Sequence, residues 1–218
     1  MTPTYLVFLG SVRDSLPPRP ARLDLRVARA VMLQLQNRGS QAALVDPLDI
    51  DLGRTFKPHF AYANGKAPAA LDTLADQIER ADGYVMVSPE YNHSMSPALS
   101  HLLNHFGSSL FSYKPSVIVT YSGGQWGGVR AAVGMRSFLS ELGCLPVSAM
   151  IHVPKAQDVF TEDGGFHDGV AANEWTGYMS RATTQLDWWA QAARHQRGME
   201  DSPQPDAFTR DPSQRNAP

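Results

Sequence analysis

The chain is poor in cysteine, in long apolar runs and in excess charge, and each shortage excludes a class of protein. Cys144 is the single cysteine in 218 residues, which excludes an intrachain disulfide and a metal site built from several thiolates. No run approaches the ~20 apolar residues of a membrane span. The apolar run YLVFLG near the start is too short for a signal-peptide core. We therefore expect a cytoplasmic protein with no membrane partner.

The charge balance is close to neutral, with 19 Lys and Arg against 21 Asp and Glu and a formal net charge of −2. Nucleic-acid-binding proteins carry a strong basic excess, which is missing here. We expect a small-molecule partner and no nucleic-acid partner. With 43% hydrophobic residues, the chain is long enough for one large domain that buries about 70% of its unfolded surface.

Apolar runs alternate with amphipathic segments along the chain. Near-continuous β-branched runs begin at Thr4, Gly83, Ser116 and Leu145, with a weaker run from Gln41. Runs of this kind indicate strands that are covered on both faces. Between them, apolar residues at three-and-four spacing predict helices. The alternation predicts an α/β domain with a parallel, doubly wound sheet.

The predicted helices carry their apolar stripes over Leu25–Leu35, Leu71–Ile78, Leu99–Phe106, Ala132–Leu142 and Trp175–Ala193. The last stripe ends the domain, which we predict to span residues 1–196. Residues 197–218 are rich in proline and contain no large aliphatic residue beyond Met199. Such a segment buries too little surface to offset its ordering entropy, so we predict a disordered tail.

Three loops are expected at the carboxyl ends of the strands, where open parallel sheets bind their ligands. They are GSVRDS after the first strand, SPEYNHSMSPAL after the Gly83 strand, and YSGGQWGGVR after the Ser116 strand. All three are rich in glycine, hydroxyl and other polar groups. They predict one ligand site.

In the first loop, Ser11 and Arg13 follow Gly10 and offer backbone N–H groups, a hydroxyl and a guanidinium to an anion at the head of a helix. An ordinary turn with a solvated arginine is the alternative. In the third loop, Gly123 and Gly124 allow backbone N–H groups to approach a planar ligand, although paired glycines also suit a plain tight turn. Neither loop matches the Walker A or the G-x-G-x-x-G pattern.

The middle loop is bounded by two prolines. Pro89 is expected to end the strand, while Pro97 suits the first turn of a helix capped by Ser96. The polar residues in between would face the crevice and grip the edge of a flat heterocycle. They are Glu90, Tyr91, Asn92 and His93. A loop that merely precedes a capped helix is the alternative.

From about Thr4 to about Ala193 the chain resembles the NADPH-dependent FMN reductases, a flavodoxin-like family that includes quinone, azo and chromate reductases. The resemblance rests on LGSVR, on ADGYVMVSPEYNHSMSPAL and on YSGGQWGGVRAAVGMRSFLSELGCLPV. It implies a five-stranded parallel sheet of order 2-1-3-4-5, bound FMN, and NADPH or NADH as the hydride donor. It also implies a small second acceptor, such as free flavin, a quinone or an azo compound, and a homodimer or homotetramer.

The resemblance also assigns the cofactor-binding residues. It places Ser11 and Arg13 on the FMN phosphate, Pro89 to Asn92 with His93 on the isoalloxazine ring, and Ser122 to Gly124 on its pyrimidine side. Because the flavin performs the redox chemistry, we assign no catalytic side chain, and Glu90 is interpreted as shaping the turn.

The chain departs from the family after Arg13, where LPPRPARLD lengthens the loop. A further phosphate contact could come from Ser15, Arg19, Arg22 or Arg26. Asp24 would repel a phosphate if it pointed inward.

Two other functions were weighed against the reductase. His101 and His105 have the spacing of metal ligands, but Leu102 stands where the zinc-protease pattern has glutamate, so we predict no metal site. A flavodoxin-like electron carrier without turnover is the alternative function, although carriers usually bear a strongly acidic docking face. The loop from Gly53 to Pro68 would cover the flavin in an enzyme, or else form a surface excursion with partly buried aromatics.

Overall fold

The computed structural model describes residues 2–13, 22–63 and 65–204. The strands described in it are β1 (Thr4–Leu9), β2 (Gln41–Val45), β3 (Gly83–Tyr91), β4 (Ser94–Met95), β5 (Lys114–Tyr121), β6 (Cys144–Pro146) and β7 (Ile151–Val153). The helices are α1 (Leu23–Asn37), α2 (Ala69–Arg80), α3 (Pro97–Asn104), α4 (Ser108–Phe111), α5 (Val129–Glu141), α6 (Ala156–Val159) and α7 (Ala172–Arg197). Short 3-10 turns cover Pro47–Asp49 and His59–Ala61.

The sheet has the order β2-β1-β3-β5-β6, and all neighbours along this path pair in parallel. Counted along the parallel path, this is the doubly wound order 2-1-3-4-5. The prediction of a flavodoxin-like parallel α/β fold is therefore confirmed. The predicted tail lies outside the described residues beyond Gln204.

The sequence predicted one continuous strand from Leu145 at the fifth position of the sheet, and this prediction was wrong. The position is divided into β6 and β7, and both pair with β5. After Pro146, the Val147 N–H still donates to the Ser116 carbonyl of β5 at 2.9 Å. The Ala149 N–H donates instead to the Gln185 side chain at 2.9 Å, and pairing with β5 resumes at Ile151 of β7. A second addition is β4, which pairs antiparallel with the end of β3.

The two faces of the sheet carry separate apolar cores, as expected for strands that are buried on both sides. In β1, Tyr5, Val7 and Leu9 pack with α1 and α7, while Leu6 and Phe8 face α2 and α3. The alternation along one strand thus fills both layers. The result is a three-layer domain, with helices on both faces of the sheet.

At the amino ends of the strands, buried polar groups form closed networks. Asp187 of α7 accepts hydrogen bonds from the Tyr5 hydroxyl at 2.6 Å, from Arg38 Nε at 2.6 Å and from Ser40 Oγ at 3.3 Å. Lys114 Nζ donates to three carbonyls, those of Ile78, Glu79 and Leu110, at 2.6–3.0 Å. These contacts fix α7 and the end of α2 to the sheet.

A cavity of about 660 Å³ also lies at the amino end, lined in part by Lys114, Cys144, Leu145 and Trp189. Burial raises the pKa of the Cys144 thiol to about 12, so this cysteine stays in its unreactive thiol form. Among the described ranges, no helix is both long enough and apolar enough to cross a membrane.

Candidate functional site

The first two polar loops meet at the carboxyl end of the sheet. Between them lies a cavity of about 300 Å³, a volume at the lower end of the range for ligand sites. It is lined by Gly10, Ser11, Val12, Arg13, Tyr91, Asn92, Ser96, Pro97 and Ala98. The structure therefore brings together Ser11, Arg13, Tyr91 and Asn92 of the predicted set. Val12 and Ala98 were missed, because nothing marks an apolar residue beside such a loop in the sequence.

Gly10 allows β1 and β3 to approach closely at this end. A Cβ atom on Gly10 would lie 2.4 Å from the Val87 carbonyl oxygen and 2.9 Å from the Ser88 Cα. Both contacts are with backbone, so neither partner can give way cheaply. Glycine is required here to bring the first loop against the second.

The middle loop is a tight hairpin, although the sequence analysis expected the strand to end at Pro89. β3 continues through Pro89 to Tyr91, and Tyr91 pairs with Ser94 of β4 across the two residues Asn92 and His93. Both of these residues are left-handed, with φ of 49° and 64°. This is the backbone of a two-residue hairpin turn, in which glycine usually takes the position of His93. The turn places Asn92 in the lining of the cavity, whereas His93 is not among the lining residues.

The prediction that Pro89 ends the strand was wrong. β1 ends at Leu9, which is opposite Val87, so Pro89 lies past the end of this neighbour. A missing N–H costs no ladder bond at that point. On its other side Pro89 still pairs with Tyr121 of β5.

A hydrogen-bonded chain of serines joins the hairpin to α3. The buried Ser88 hydroxyl donates to the Pro89 carbonyl at 2.8 Å and accepts the Ser96 N–H at 3.0 Å. Ser96 Oγ then accepts the Leu99 N–H at 3.1 Å, and Pro97 occupies the first turn. The predicted cap of α3 is confirmed, and it makes β3, the hairpin and α3 one rigid unit.

Glu90 braces the hairpin against the third loop. Its carboxylate accepts the N–H of Arg130 at 3.1 Å and of Ala131 at 3.3 Å, at the start of α5. It also pairs with the Arg130 guanidinium at 2.8 Å, and this cation lies 5.7 Å from the centre of the exposed Trp126 ring. A carboxylate at a helix N-terminus is favoured by the helix dipole. This geometry agrees with a turn-shaping role for Glu90.

The carbonyl groups of the third loop accept hydrogen bonds from the segment that follows β7. The Ala156 N–H donates to the Ser122 carbonyl at 3.0 Å, Gln157 Nε2 to the Gly123 carbonyl at 3.1 Å, and the Lys155 N–H to the Gly124 carbonyl at 2.8 Å. Sequence reasoning missed this segment, since it lies about thirty residues away along the chain and carries no motif.

The N–H groups of Gly123 and Gly124, by contrast, have no hydrogen-bond partner among residues 2–13, 22–63 and 65–204. The Ser122 hydroxyl fixes the loop further, donating to the Gly124 carbonyl at 2.8 Å and accepting the Gly127 N–H at 2.9 Å. Carbonyls that are bonded and amides that are open make a donor surface for an anionic or carbonyl-bearing ligand.

In the first loop, some of the groups that could bind a ligand already form hydrogen bonds within the protein. The Ser11 hydroxyl accepts the Arg13 N–H at 3.1 Å, and the Ser11 N–H donates to Asp24 Oδ2 at 3.0 Å. Asp24 is fully buried, and burial raises the pKa of its carboxyl group although the nearby Arg22 acts against the shift. The Asp24 carboxylate therefore points toward the first loop, which is the orientation that would repel a phosphate.

Of the candidates for a further phosphate contact, Ser15 and Arg19 lie outside the described residues. Arg22 binds Asp24 at 3.3 Å and Asp46 at 2.8 Å. Arg26 donates to the Phe160 carbonyl and to Glu162. Both described arginines are thus engaged by other groups.

The segment from Gly53 to Pro68 packs beside α3, and none of its described residues lines the cavity. The Phe56 ring lies 4.8 Å from the His105 ring, and the His59 N–H donates to the His105 carbonyl at 2.7 Å. His105 Nδ1 donates to the His101 carbonyl. This hydrogen bond occupies one ring nitrogen of His105, which with His101 forms the pair that has metal-ligand spacing. No group of three or more His, Cys, Asp or Glu within the described ranges could hold a metal.

Comparison with known proteins identifies the family of the chain. The profile of the family NADPH-dependent FMN reductase matches residues 3–158. The chain belongs to this family. The family resemblance expected from the sequence is therefore confirmed.

Individual relatives match over shorter stretches. An NAD(P)H-dependent FMN reductase of Pseudomonas aeruginosa is 32% identical over 114 residues, which cover 50% of this chain and 61% of the relative. A quinone reductase of Escherichia coli is 39% identical over 75 residues, covering 33% of this chain and 40% of the relative. The chain thus aligns with about two fifths to three fifths of these relatives' length.

Among solved structures, the fold is similar to the flavoenzyme NAD(P)H:(acceptor) oxidoreductase of Paracoccus denitrificans. The TM-score is 0.65 at 21% identity, over 86% of this chain and 98% of that one. This likeness supports the fold over nearly the whole domain.

Proposed function

We propose that this chain is an oxidoreductase that binds FMN and passes reducing equivalents from NAD(P)H to a small second acceptor. Free flavin, quinones and azo compounds are the acceptor classes. One observation carries the proposal. The open N–H groups of Gly123 and Gly124 lie at the same carboxyl end of the sheet as the cavity between the first two loops. That cavity is lined by Ser11, Arg13, Tyr91 and Asn92, among others. Membership of the FMN reductase family supplies the chemical class.

The residues present fit a flat, singly phosphorylated ring system. Ser11 and Arg13 would hold the phosphate, since both residues line the cavity and carry a hydroxyl and a guanidinium, the groups that bind phosphate in charge-assisted hydrogen bonds. Pro89 to His93 would contact the isoalloxazine ring, and Ser122 to Gly124 its pyrimidine side. These assignments span the three loops that follow the carboxyl ends of β1, β3 and β5.

When bound, the flavin supplies the hydride chemistry, accepting from NAD(P)H and donating to the second acceptor. The chain's own contribution is binding and electrostatics. The Gly123 and Gly124 N–H groups, whose peptide carbonyls are already fixed, would stabilise negative charge on the ring edge with little reorganisation. Both Glu90 oxygens already accept hydrogen bonds, so Glu90 acts as a brace between the hairpin and the start of α5.

The proposal also covers association and location. We propose a homodimer or homotetramer, supported by exposed apolar side chains near the crevice and on α7, among them Trp126 at 60%, Val133 at 67% and Trp188 at 61% exposure. We place a single FMN-binding domain, residues 1–196, in the cytoplasm, where NADPH is supplied. Sedimentation equilibrium tests the association, and a monomer would contradict it.

The experiment that tests the function is spectroscopic and kinetic. The purified protein should be yellow, and denaturation should release FMN. The loaded protein should oxidise about one equivalent of NADPH or NADH by itself, and should turn over repeatedly when a quinone, free flavin or azo dye is present. A yellow protein that turns over none of these acceptors would be an electron carrier. A protein that stays colourless with excess FMN would contradict both.

A further inference from the structure

Asp24 is a buried carboxylate held directly behind the candidate phosphate loop. Its side chain has no solvent exposure, and Oδ2 accepts the N–H of Ser11 at 3.0 Å. Ser11 itself lines the 300 Å³ cavity together with Arg13. The carboxylate is therefore one residue removed from any anion that binds at Ser11.

Asp24 takes a donor that a phosphate would otherwise use. Phosphate sites at strand-to-helix turns depend on backbone N–H groups that point at the ligand. Here the Ser11 N–H is already bonded to Asp24, and the Leu25 N–H donates to Asp24 Oδ1 at 2.9 Å. The hydroxyl of Ser11 accepts the Arg13 N–H. The head of α1 thus presents fewer open donors than its position suggests.

The charge around Asp24 is incompletely balanced. Arg22 is its cationic partner, but the same guanidinium also binds Asp46 at 2.8 Å. One cation shared by two carboxylates leaves this cluster with one net negative charge. Arg13 is the cation that lines the cavity within the described part of the chain. A phosphate at this site would meet both an attractive guanidinium and a repulsive carboxylate.

We propose that Asp24 is a specificity-determining residue that weakens the preference of this site for phosphorylated flavin over riboflavin. The inference rests on the proposed flavin function, and it concerns the phosphate end of the ligand alone. The isoalloxazine ring is common to both flavins, so any difference between them reports on the phosphate loop.

Titration of the full chain with FMN and with riboflavin, followed by quenching of flavin fluorescence, tests the proposal. The wild-type Kd values for the two flavins should differ by less than about tenfold, since attraction to Arg13 and repulsion from Asp24 offset each other. Asp24→Asn keeps the shape and can still accept the Ser11 N–H. This variant should bind FMN about tenfold more tightly and riboflavin with unchanged affinity.

Asp76→Asn is the matched control, since it removes an exposed carboxylate that pairs with Arg80, outside the Asp24 cluster and the cavity. Its effect on the FMN Kd should be less than about threefold. The inference is overturned if wild type prefers FMN by a hundredfold or more, or if Asp24→Asn leaves the ratio of the two Kd values unchanged. The wild-type ratio decides the matter even if the variant fails to fold. If wild type binds neither flavin, the proposed function falls, and this inference falls with it.

Discussion

The two ends of the sheet use their polar groups in opposite ways. At the amino end, Asp187 and Lys114 each have three hydrogen-bond partners, so these buried charges stabilise the fold. At the carboxyl end, Gly123 and Gly124 keep N–H groups without partners in the described part of the chain, and Asn92 and His93 hold left-handed backbone. Closed networks stabilise a fold, whereas open donors and strained residues are typical of sites that await a ligand. The comparison separates residues that should change stability from residues that should change binding.

The largest effect is expected at the amino end. Asp187→Ala leaves the Tyr5 hydroxyl and the Arg38 guanidinium without their acceptor, so the free energy of unfolding should fall by about 3–5 kcal/mol. Urea denaturation measures this loss. Asp76→Ala, which breaks the exposed pair with Arg80, should change stability by less than about 0.5 kcal/mol. Equal effects of the two variants would contradict the idea of a stabilising network.

A smaller loss is expected at the carboxyl end, where β1 and β3 approach closely. Gly10→Ala introduces a Cβ that meets the Val87 carbonyl at 2.4 Å, so β1 and β3 must separate, at a cost of about 1–3 kcal/mol. Flavin binding should weaken as well, because the first loop moves. Gly134→Ala is the control, since nothing lies within 4 Å of its added methyl group and helix propensity favours alanine. If thermal unfolding shows Gly10→Ala to be as stable as this control, the close approach has no consequence.

The third effect belongs to the carboxyl end and should leave stability unchanged. Arg13→Ala removes a charge-assisted contact to the FMN phosphate, worth about 1.5–3 kcal/mol, or roughly tenfold to a hundredfold in Kd. Riboflavin lacks the phosphate, so its affinity should stay the same. Arg80→Ala, an exposed substitution on α2, serves as the control in the same titration. An unchanged FMN affinity would place the phosphate elsewhere.

The smallest effect is expected from the buried carboxylate of Asp24, in contrast to the large effect expected from that of Asp187. Burial raises the pKa of Asp24, so the folded state holds this proton more tightly than the unfolded state. Stability relative to Asp24→Asn should therefore fall as pH rises from the ordinary carboxyl pKa of 3.8 through the raised value. Urea denaturation at pH 4 and pH 7 measures the difference, and a constant difference would contradict the raised pKa.

Local patterns predicted the elements, because apolar periodicity and caps act within a few residues. The stripes from Leu25 and Leu71 are confirmed as α1 and α2, and Ser96 caps α3 as expected. The rule that ligands bind at the carboxyl ends of parallel strands brought the first two loops together correctly. These predictions need no knowledge of distant contacts.

What the sequence did not predict depends on pairing across the fold. The hairpin after Pro89 was missed because Asn-His is a rare pair for a two-residue turn, which usually ends in glycine. The brace from Glu90 to Arg130 and the clamp from Gln157 to Gly123 join residues that are far apart in the chain. Arg22 was a candidate for the phosphate, but Asp46 binds it from the end of β2. Only tertiary structure fixes such partners.

The most direct test is the mapping of FMN binding by amide chemical shifts of the ¹⁵N-labelled protein. The account predicts that FMN shifts the N–H resonances of Ser11 to Arg13, Tyr91 to His93, Gly123 and Gly124, and leaves the amino-end cavity around Leu145 and Trp189 unchanged. Shifts confined to that second cavity, or none at saturating FMN, would contradict the claim that the carboxyl end of the sheet is the flavin site.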